Sequence, residues 1–391
     1  MAKSRSLPKA IWVLGFVSLL MDISSEMIHS LLPVFLVTVI GTSALTVGLL
    51  EGSAEAIALI VKVFSGALSD YWGKRKGLAI LGYGLGAVTK PLFALASGVG
   101  LVMTARFLDR IGKGIRGAPR DALIADIAPA ELRGAAFGLR QSLDSVGAFL
   151  GPLLAIALML LWANNFRMVF WIAVIPGLLA VVMLMVGVKE PEFRQTSKRS
   201  NPLKRENIRR LPQYYWYVVI LGVFFTLARF SEAFLLLRAE QGGMSISWIP
   251  LVLVVMNIIY SVSAYPIGRL ADRMSHSMLL AIGIVMLVIA DLILAASNHW
   301  VSVLLGVGFW GLHMGMTQGL LAAMIAHTAP ADLRGTAFGM FNLFCGLSLF
   351  IASVLAGLLW DQLGAPATFY AGIIFCLITL FILLRQNASL A

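Results

Sequence analysis

Charge is what this sequence has least of. Only 13% of its 391 residues are Asp, Glu, Lys or Arg, against about 25% in an ordinary soluble domain. No soluble core of this size needs so little polar surface. Hydrophobic residues make up 59% of the chain, and its mean hydropathy is +0.90. Water is therefore not the main solvent of this surface, and the composition is that of a polytopic membrane protein. Cysteine is nearly missing too. Cys345 and Cys376 are the only two. Both lie inside apolar stretches, without metal-ligand spacing or a disulfide framework, and read as packing. Nothing resembles a metal cluster, a nucleotide loop or a soluble catalytic domain. Gly112-Lys113-Gly114 lacks the surrounding sequence and the strand of a phosphate loop. These absences argue against an enzyme, a cofactor or a metal. The formal net charge of +11 does not point to nucleic acid, because the basic residues sit in short loops, where they act as topology signals.

What is present is a repeat. Asp126 to Gly138 reads DIAPAELRGAAFG, and His327 to Gly339 reads HTAPADLRGTAFG, at an offset of 201. Nine of eleven positions from the first Ala-Pro-Ala onward are identical, which marks a duplicated unit. GALSD at Gly66 and GRLAD at Gly268 form a second pair, and Ser25-Glu26 and Ser231-Glu232 a weaker third.

A helix crossing a bilayer needs about 20 apolar residues, and an open sheet leaves its backbone unsatisfied there. The apolar stretches give twelve expected spans, at about 10–39, 44–68, 78–96, 100–124, 135–161 and 169–188 within residues 1–188, and at about 214–237, 245–267, 278–296, 301–326, 336–359 and 367–384 within residues 213–391, joined by a polar linker at 189–212. The expected fold is all-α, two parallel six-helix repeats. The basic-apolar N-terminus lacks a small-x-small cleavage site and reads as a retained first span. Lys3, Arg5 and Lys9, the Lys74-Arg75-Lys76 loop, the basic linker, Arg269, Arg273, Arg334 and Arg385 fall in alternate loops. Arg167 and Arg238 are nearly alone in the others. Both termini and the linker are thus expected on the cytoplasmic side of a cytoplasmic (inner) membrane, with the linker near anionic lipid or simply fixing topology. Parallel repeats imply an axis along the membrane normal and a cavity suited to rocking motion.

These features resemble the major facilitator superfamily of secondary transporters over nearly the whole chain. GALSDYWGKRKG, Gly66 to Gly77, is similar to the family's loop between helices 2 and 3. Gly66, Asp70, Gly73, Lys74 and Arg75 match, and Tyr71 stands where an arginine is usual. The second copy keeps Gly268, Asp272 and Arg273. The resemblance implies a gating role for this loop, with Asp70 in a cytoplasmic latch. Arg110-Ile-Gly-Lys-Gly-Ile-Arg116-Gly-Ala resembles a second family motif, whose buried arginine, here Arg110, is linked to proton coupling. Gly147-Ala-Phe-Leu-Gly151-Pro152 resembles the antiporter motif without its later glycine pair, and implies export in exchange for protons, with Gly147, Gly151 and Pro152 expected to take part in gating.

The polar residues inside the spans are the candidate machinery. Asp22, Glu26 and His29, spaced four and three apart, share one face of span 1. A carboxylate facing lipid is costly, so this face should meet a cavity or a partner. Asp22 or Glu26 is expected to carry the proton, with a permanently paired structural carboxylate as the alternative. Span 4 bears Arg106, Asp109, Arg110, Lys113, Arg116, Arg120 and Asp121, a largely basic stripe. Its candidate partners are Asp22, Glu26, Asp144, Glu51 and Glu55, with Glu51 near the wet outer end of span 2. Arg140 and Asp144 sit one turn apart in span 5. In the second half Arg229, Glu232, Asn257, Tyr260, Asp291, His313, Gln318 and Asn342 are the polar positions. With His29, Glu55, Arg106, Arg116 and Asp144, all of these except Asp291 are candidates for binding substrate, or for packing helices.

The leading expectation is a monomeric exporter of a small organic molecule (drug-like, siderophore or metabolite) in exchange for protons. A proton symporter importing an organic anion is the second reading, and a non-transporting membrane receptor the third. Its partners are the small-molecule substrate, protons and membrane lipid.

Overall fold

Once water is removed, an apolar segment satisfies its own backbone only by coiling into a helix. The computed structural model, which describes residues 7–72, 74–190, 210–271, 274–317, 319–330 and 333–390, contains no strand among the described residues. The first half forms α1 (Lys9–His29), α2 (Leu32–Thr38), α3 (Ala44–Trp72), α4 (Arg75–Leu95), α5 (Val99–Ile127), α6 (Arg133–Leu161) and α7 (Phe166–Gly187). The second half forms α8 (Gln213–Leu227), α9 (Ala233–Gln241), α10 (Leu251–Ala271), α11 (His276–Ala296), α12 (Trp300–Thr317), α13 (Leu320–Thr328), α14 (Arg334–Leu363) and α15 (Ala365–Leu390). Among the described residues ten segments are long and apolar enough to cross a membrane. The two remaining expected spans fall outside that set for physical reasons: α5 is dense in charge, and span 7 is divided into the shorter α8 and α9.

Three spans expected to be continuous are broken. Span 1 stops at His29 and resumes at Leu32. Pro33 has no amide to offer the preceding turn and its ring crowds that turn's carbonyl. Span 10 bends at Gly319, whose φ of +86° suits glycine. Span 7 opens over Ala228–Glu232, with neither proline nor glycine there. Its Ser231 amide donates to Ser353 Oγ at 3.2 Å, and Ser231 Oγ accepts from the Ala233 amide at 3.3 Å. Side chains take over amides that the helix releases.

The chain divides into two compact units, Met1–Phe35 with Ile57–Ser197 and Leu36–Ala56 with Lys198–Ala391. In the first, α1 packs on α6 and α7, and α4 packs on α5 and α7. Small residues set these approaches. A Cβ on Gly112 would sit 2.7 Å from the Gly82 carbonyl, and one on Gly82 2.6 Å from the Arg116 amide. Main chain touches main chain there, and neither side can yield. Gly112→Ala is expected to cost about 1–3 kcal/mol, read as a lower unfolding temperature of the purified protein.

In the second unit α11 packs on α12 and α15, α10 on α12, and α14 on α8 and α15. Residues 36–56 join this unit although they belong to the first half of the sequence. A Cβ on Gly357 would lie 2.6 Å from the Ala44 carbonyl, and one on Gly52 3.1 Å from Phe350 Cα. The Asp361 carboxylate accepts from the amides of Ala44 and Leu45 at 3.0 and 2.9 Å. A negative charge is thus placed at the positive end of α3. Glu51, expected at a wet helix end, is only 1% exposed in this packing. The helix turns it inward, between glycines 48 and 52, which touch α14.

Arg167 and Arg238, nearly alone in their set of alternate loops, also find a structural reason. Arg167 Nη2 donates to the Ala96 carbonyl at 3.2 Å, just past the end of α4. Arg238 Nε donates to the Leu294 carbonyl at 2.9 Å, and its Nη2 bonds the Ala295 and Ser297 carbonyls at the end of α11. Each arginine serves the orphan carbonyls of a helix C-terminus, where a cation is favoured.

Candidate functional site: a buried charge network in the first unit

The site grows from the contact of α1 with α6. A Cβ on Gly147 would fall 2.9 Å from Asp22 Cβ and 2.9 Å from the Leu19 carbonyl; one on Gly151 would fall 2.7 Å from Glu26 Cβ and 3.0 Å from the Ile23 carbonyl. Two glycines one turn apart therefore seat two carboxylates one turn apart. Gly147 and Gly151, expected to gate, lie directly beneath the proposed proton carriers, and Pro152 is buried next to them in α6.

Both carboxylates are half-buried and sit in the field of several charges. Glu26 Oε2 lies 3.4 Å from His29 Nδ1. Lys113 and Arg110 add to the field on Glu26, and Arg116, Lys113, Arg120 and Asp144 to that on Asp22. Asp144 receives Arg140 Nη1 at 3.0 Å and lies 3.9 Å from Arg120 Nη1. Arg120 also donates to Ser18 Oγ at 3.0 Å and pairs with Asp121 at 3.1 Å. Arg116, 5% exposed, holds its guanidinium 5.0 Å above the Tyr83 ring, a cation–π placement. Span 4 thus contributes a ladder of cations, and α1 and α6 contribute the carboxylates facing it.

Deeper in the unit lies a pair that reading the sequence missed. Lys90 of α4 is 1% exposed and donates from Nζ to Asp109 Oδ1 at 2.8 Å and to Ser25 Oγ at 3.0 Å. Arg110 Nε stands 3.6 Å from Asp109 Oδ2, and Arg106 also acts on that carboxylate. The signal was present: Lys90 is a lone lysine in an otherwise apolar span, and an intramembrane ionisable group demands a partner. Asp109 was recognised as part of the stripe, though not as its hub.

At the loop between α3 and α4 the side chains of Asp70 and the residue Gly73 lie outside the described residues. Gly66 approaches α5, its Cβ position being 3.4 Å from Ala118 Cβ. Lys74 precedes the first turn of α4, and Arg75 Nη1 pairs with Asp126 and donates to the Ala122 carbonyl at 2.9 Å. Glu190 accepts from the Arg75 and Lys76 amides at 2.8 and 3.0 Å, capping α4. Asp126 opens the repeated motif. At the same offset of 201 the pair Arg75–Asp126 becomes His276–His327, whose rings stand 6.0 Å apart. The duplication has kept the contact and replaced its chemistry.

The second unit is less charged. Arg229 lies in the break of span 7 with its guanidinium 5.6 Å from the Phe225 ring, in the field of Glu232, Tyr260 and Cys376. His313 is fully buried, with Nδ1 2.8 Å from the Gly283 carbonyl and its ring 5.5 Å from Phe225. Asn257, Tyr260 and Asn342 are half-buried on α10 and α14, and Glu55 is half-buried on α3. Gln318, Asp272 and Arg273 lie outside the described residues. Trp310 and Trp360 are buried in an aromatic cluster with Phe230, Phe234 and Phe369, while Trp248 is exposed.

A helical protein whose spans carry a paired, buried charge network is built as a membrane carrier, since such charges are costly in lipid. The Major Facilitator Superfamily model matches residues 14–249 and 218–389, and the chain belongs to that family. It is 34% identical over 388 residues to an uncharacterised MFS-type transporter of Methanocaldococcus jannaschii, covering 97% of this chain and 95% of that one. It is 24% identical over 389 residues to the quinolone resistance protein NorA of Staphylococcus aureus, covering 97% and 98%. In fold it is similar to a POT family transporter solved in complex with 5-aminolevulinic acid, at TM-score 0.81 and 14% identity over 97% and 96% of the two chains.

Proposed function

We propose that this membrane transporter exports a small organic molecule in exchange for protons by alternating access. The observation that carries the reading is the seating of Asp22 and Glu26 on Gly147 and Gly151 opposite the cations of α5. Substrate and proton compete for the same carboxylates. A proton arriving from outside neutralises Asp22 or Glu26, loosens its attraction to α5 and releases substrate outward; the return step gives the proton to the cytoplasm. This is mutual exclusion, a coupling free energy between two ligands. The similarity to a quinolone resistance protein supports the direction. The protein acts as a monomer in the cytoplasmic membrane with both termini inside, and His29, Arg106, Arg116 and Asp144 of the first unit meet substrate. The basic stripe of α5 favours an anionic or zwitterionic substrate, which also suits a symporter importing an organic anion.

Inside-out vesicles acidified within, then offered anionic, zwitterionic and cationic compounds, separate the two readings. Exchange predicts that the exported compound dissipates the gradient while it accumulates. Accumulation that instead requires an outwardly imposed acid pH supports symport.

A further inference from the structure

Asp291 of α11 takes no part in the network of the first unit. It is 0% exposed, and neither of its carboxylate oxygens has a hydrogen-bond partner among the described residues. Leu287, Ala290 and Leu294 on the same helix, and Val307 on α12, are all buried. An unpaired ionised carboxylate in such a place is strongly unfavourable. A neutral carboxyl group is not, provided that its O–H finds an acceptor.

A candidate acceptor faces the same glycine as the carboxylate. The break in span 7 frees backbone groups, and no main-chain amide among the described residues donates to the Ala228 carbonyl. The face of Gly372 on α15 sees both groups. A Cβ there would lie 2.5 Å from Asp291 Oδ2 and 3.4 Å from the Ala228 oxygen. Gly372 also lines a small cavity with Leu227, Phe230, Thr368 and Phe375. A side chain at this position would collide with the Asp291 carboxylate, so glycine keeps the space between helix and break open.

We propose that Asp291 is a second proton-binding site, and that its O–H, donated to the Ala228 carbonyl, holds the break of span 7 in the form seen here. Release of the proton to entering water leaves a buried anion and an orphan carbonyl, so the break must rearrange. The titratable and charged groups around it are few. Cys376 stands one turn from Gly372 on α15, and Arg229 lies in the break beyond it. His313 on α12 is committed to the Gly283 carbonyl, and His327 on α13 meets His276 at the far end of α11. The role in coupling rests on the exporter reading; the protonation itself does not.

Infrared difference spectroscopy of the purified protein in lipid, without substrate, reads the carboxyl directly. Wild type should show a protonated-carboxyl C=O band at neutral pH that disappears reversibly in alkaline buffer and is missing from Asp291→Asn. That variant keeps a donor of the same shape and should retain the wild-type unfolding temperature, while Asp291→Leu should lower it. A wild-type spectrum without a band assignable to Asp291 overturns the proposal. So does a band that persists until the protein unfolds, which marks a static structural acid. Failure of drug export with the band intact would remove the exporter reading alone.

Discussion

Asp109→Asn should be the most damaging single substitution in the first unit, lowering stability by about 3–5 kcal/mol, the usual cost of removing one partner from a buried ion pair. Asp109 is 3% exposed, as deeply placed as the cations around it: Lys90 at 1%, Arg106 at 2% and Arg110 at 2%. Asparagine keeps the shape and removes the charge. Lys90 can then shed its proton, but the guanidinium groups cannot, so excess positive charge is left in a low-dielectric interior. Lys90→Met removes a cation while Arg110 stays 3.6 Å from the carboxylate, and should cost less. Thermal unfolding of the detergent-purified variants checks the order. Equal losses, or an Asp109→Asn variant as stable as wild type, would mean that Asp109 is not the hub of the network.

The second large effect is functional. Asp22→Asn and Glu26→Gln should each leave a folded protein, because both side chains are half-buried and their Cβ contacts with Gly147 and Gly151 are kept. Neither can bind and release a proton. Couplings between sites are typically worth about 1–3 kcal/mol, or about 5- to 150-fold in affinity. Loss of the proton-bearing carboxylate should reduce gradient-driven transport over that range and flatten its dependence on pH. Gly151→Leu should harm transport by another route, displacing Glu26 together with the α1 backbone, and should lower stability as well. The contrast between a stable, uncoupled variant and an unstable one separates chemistry from packing.

Much of the fold was legible because lipid permits so few solutions. Scarce charge, apolar stretches of bilayer length and the repeat at Ala128-Pro129-Ala130 and Ala329-Pro330-Ala331 were enough for a duplicated helical carrier. The breaks in spans were less legible. Pro33 and Gly319 carry a local signal for theirs, whereas the opening at Ala228–Glu232 depends on Ser353, distant in sequence. In the same way, Asp22, Glu26 and the α5 cations could be picked out by spacing, but their neighbours could not. That Gly147 and Gly151 seat the two carboxylates, and that Lys90 reaches Asp109, are facts of helix packing. Glu51 shows the converse: its position near a helix end suggested water, and the close approach of α3 to α14 excludes it.

The most direct test reconstitutes wild type and the Asp22→Asn/Glu26→Gln double variant in liposomes acidified within, and follows internal pH while candidate substrates, a quinolone among them, are added outside. Exchange through the α1 carboxylates predicts that a transported compound raises internal pH with wild type and leaves it unchanged with the double variant. If the double variant discharges the gradient as fast as wild type, those carboxylates do not carry the proton.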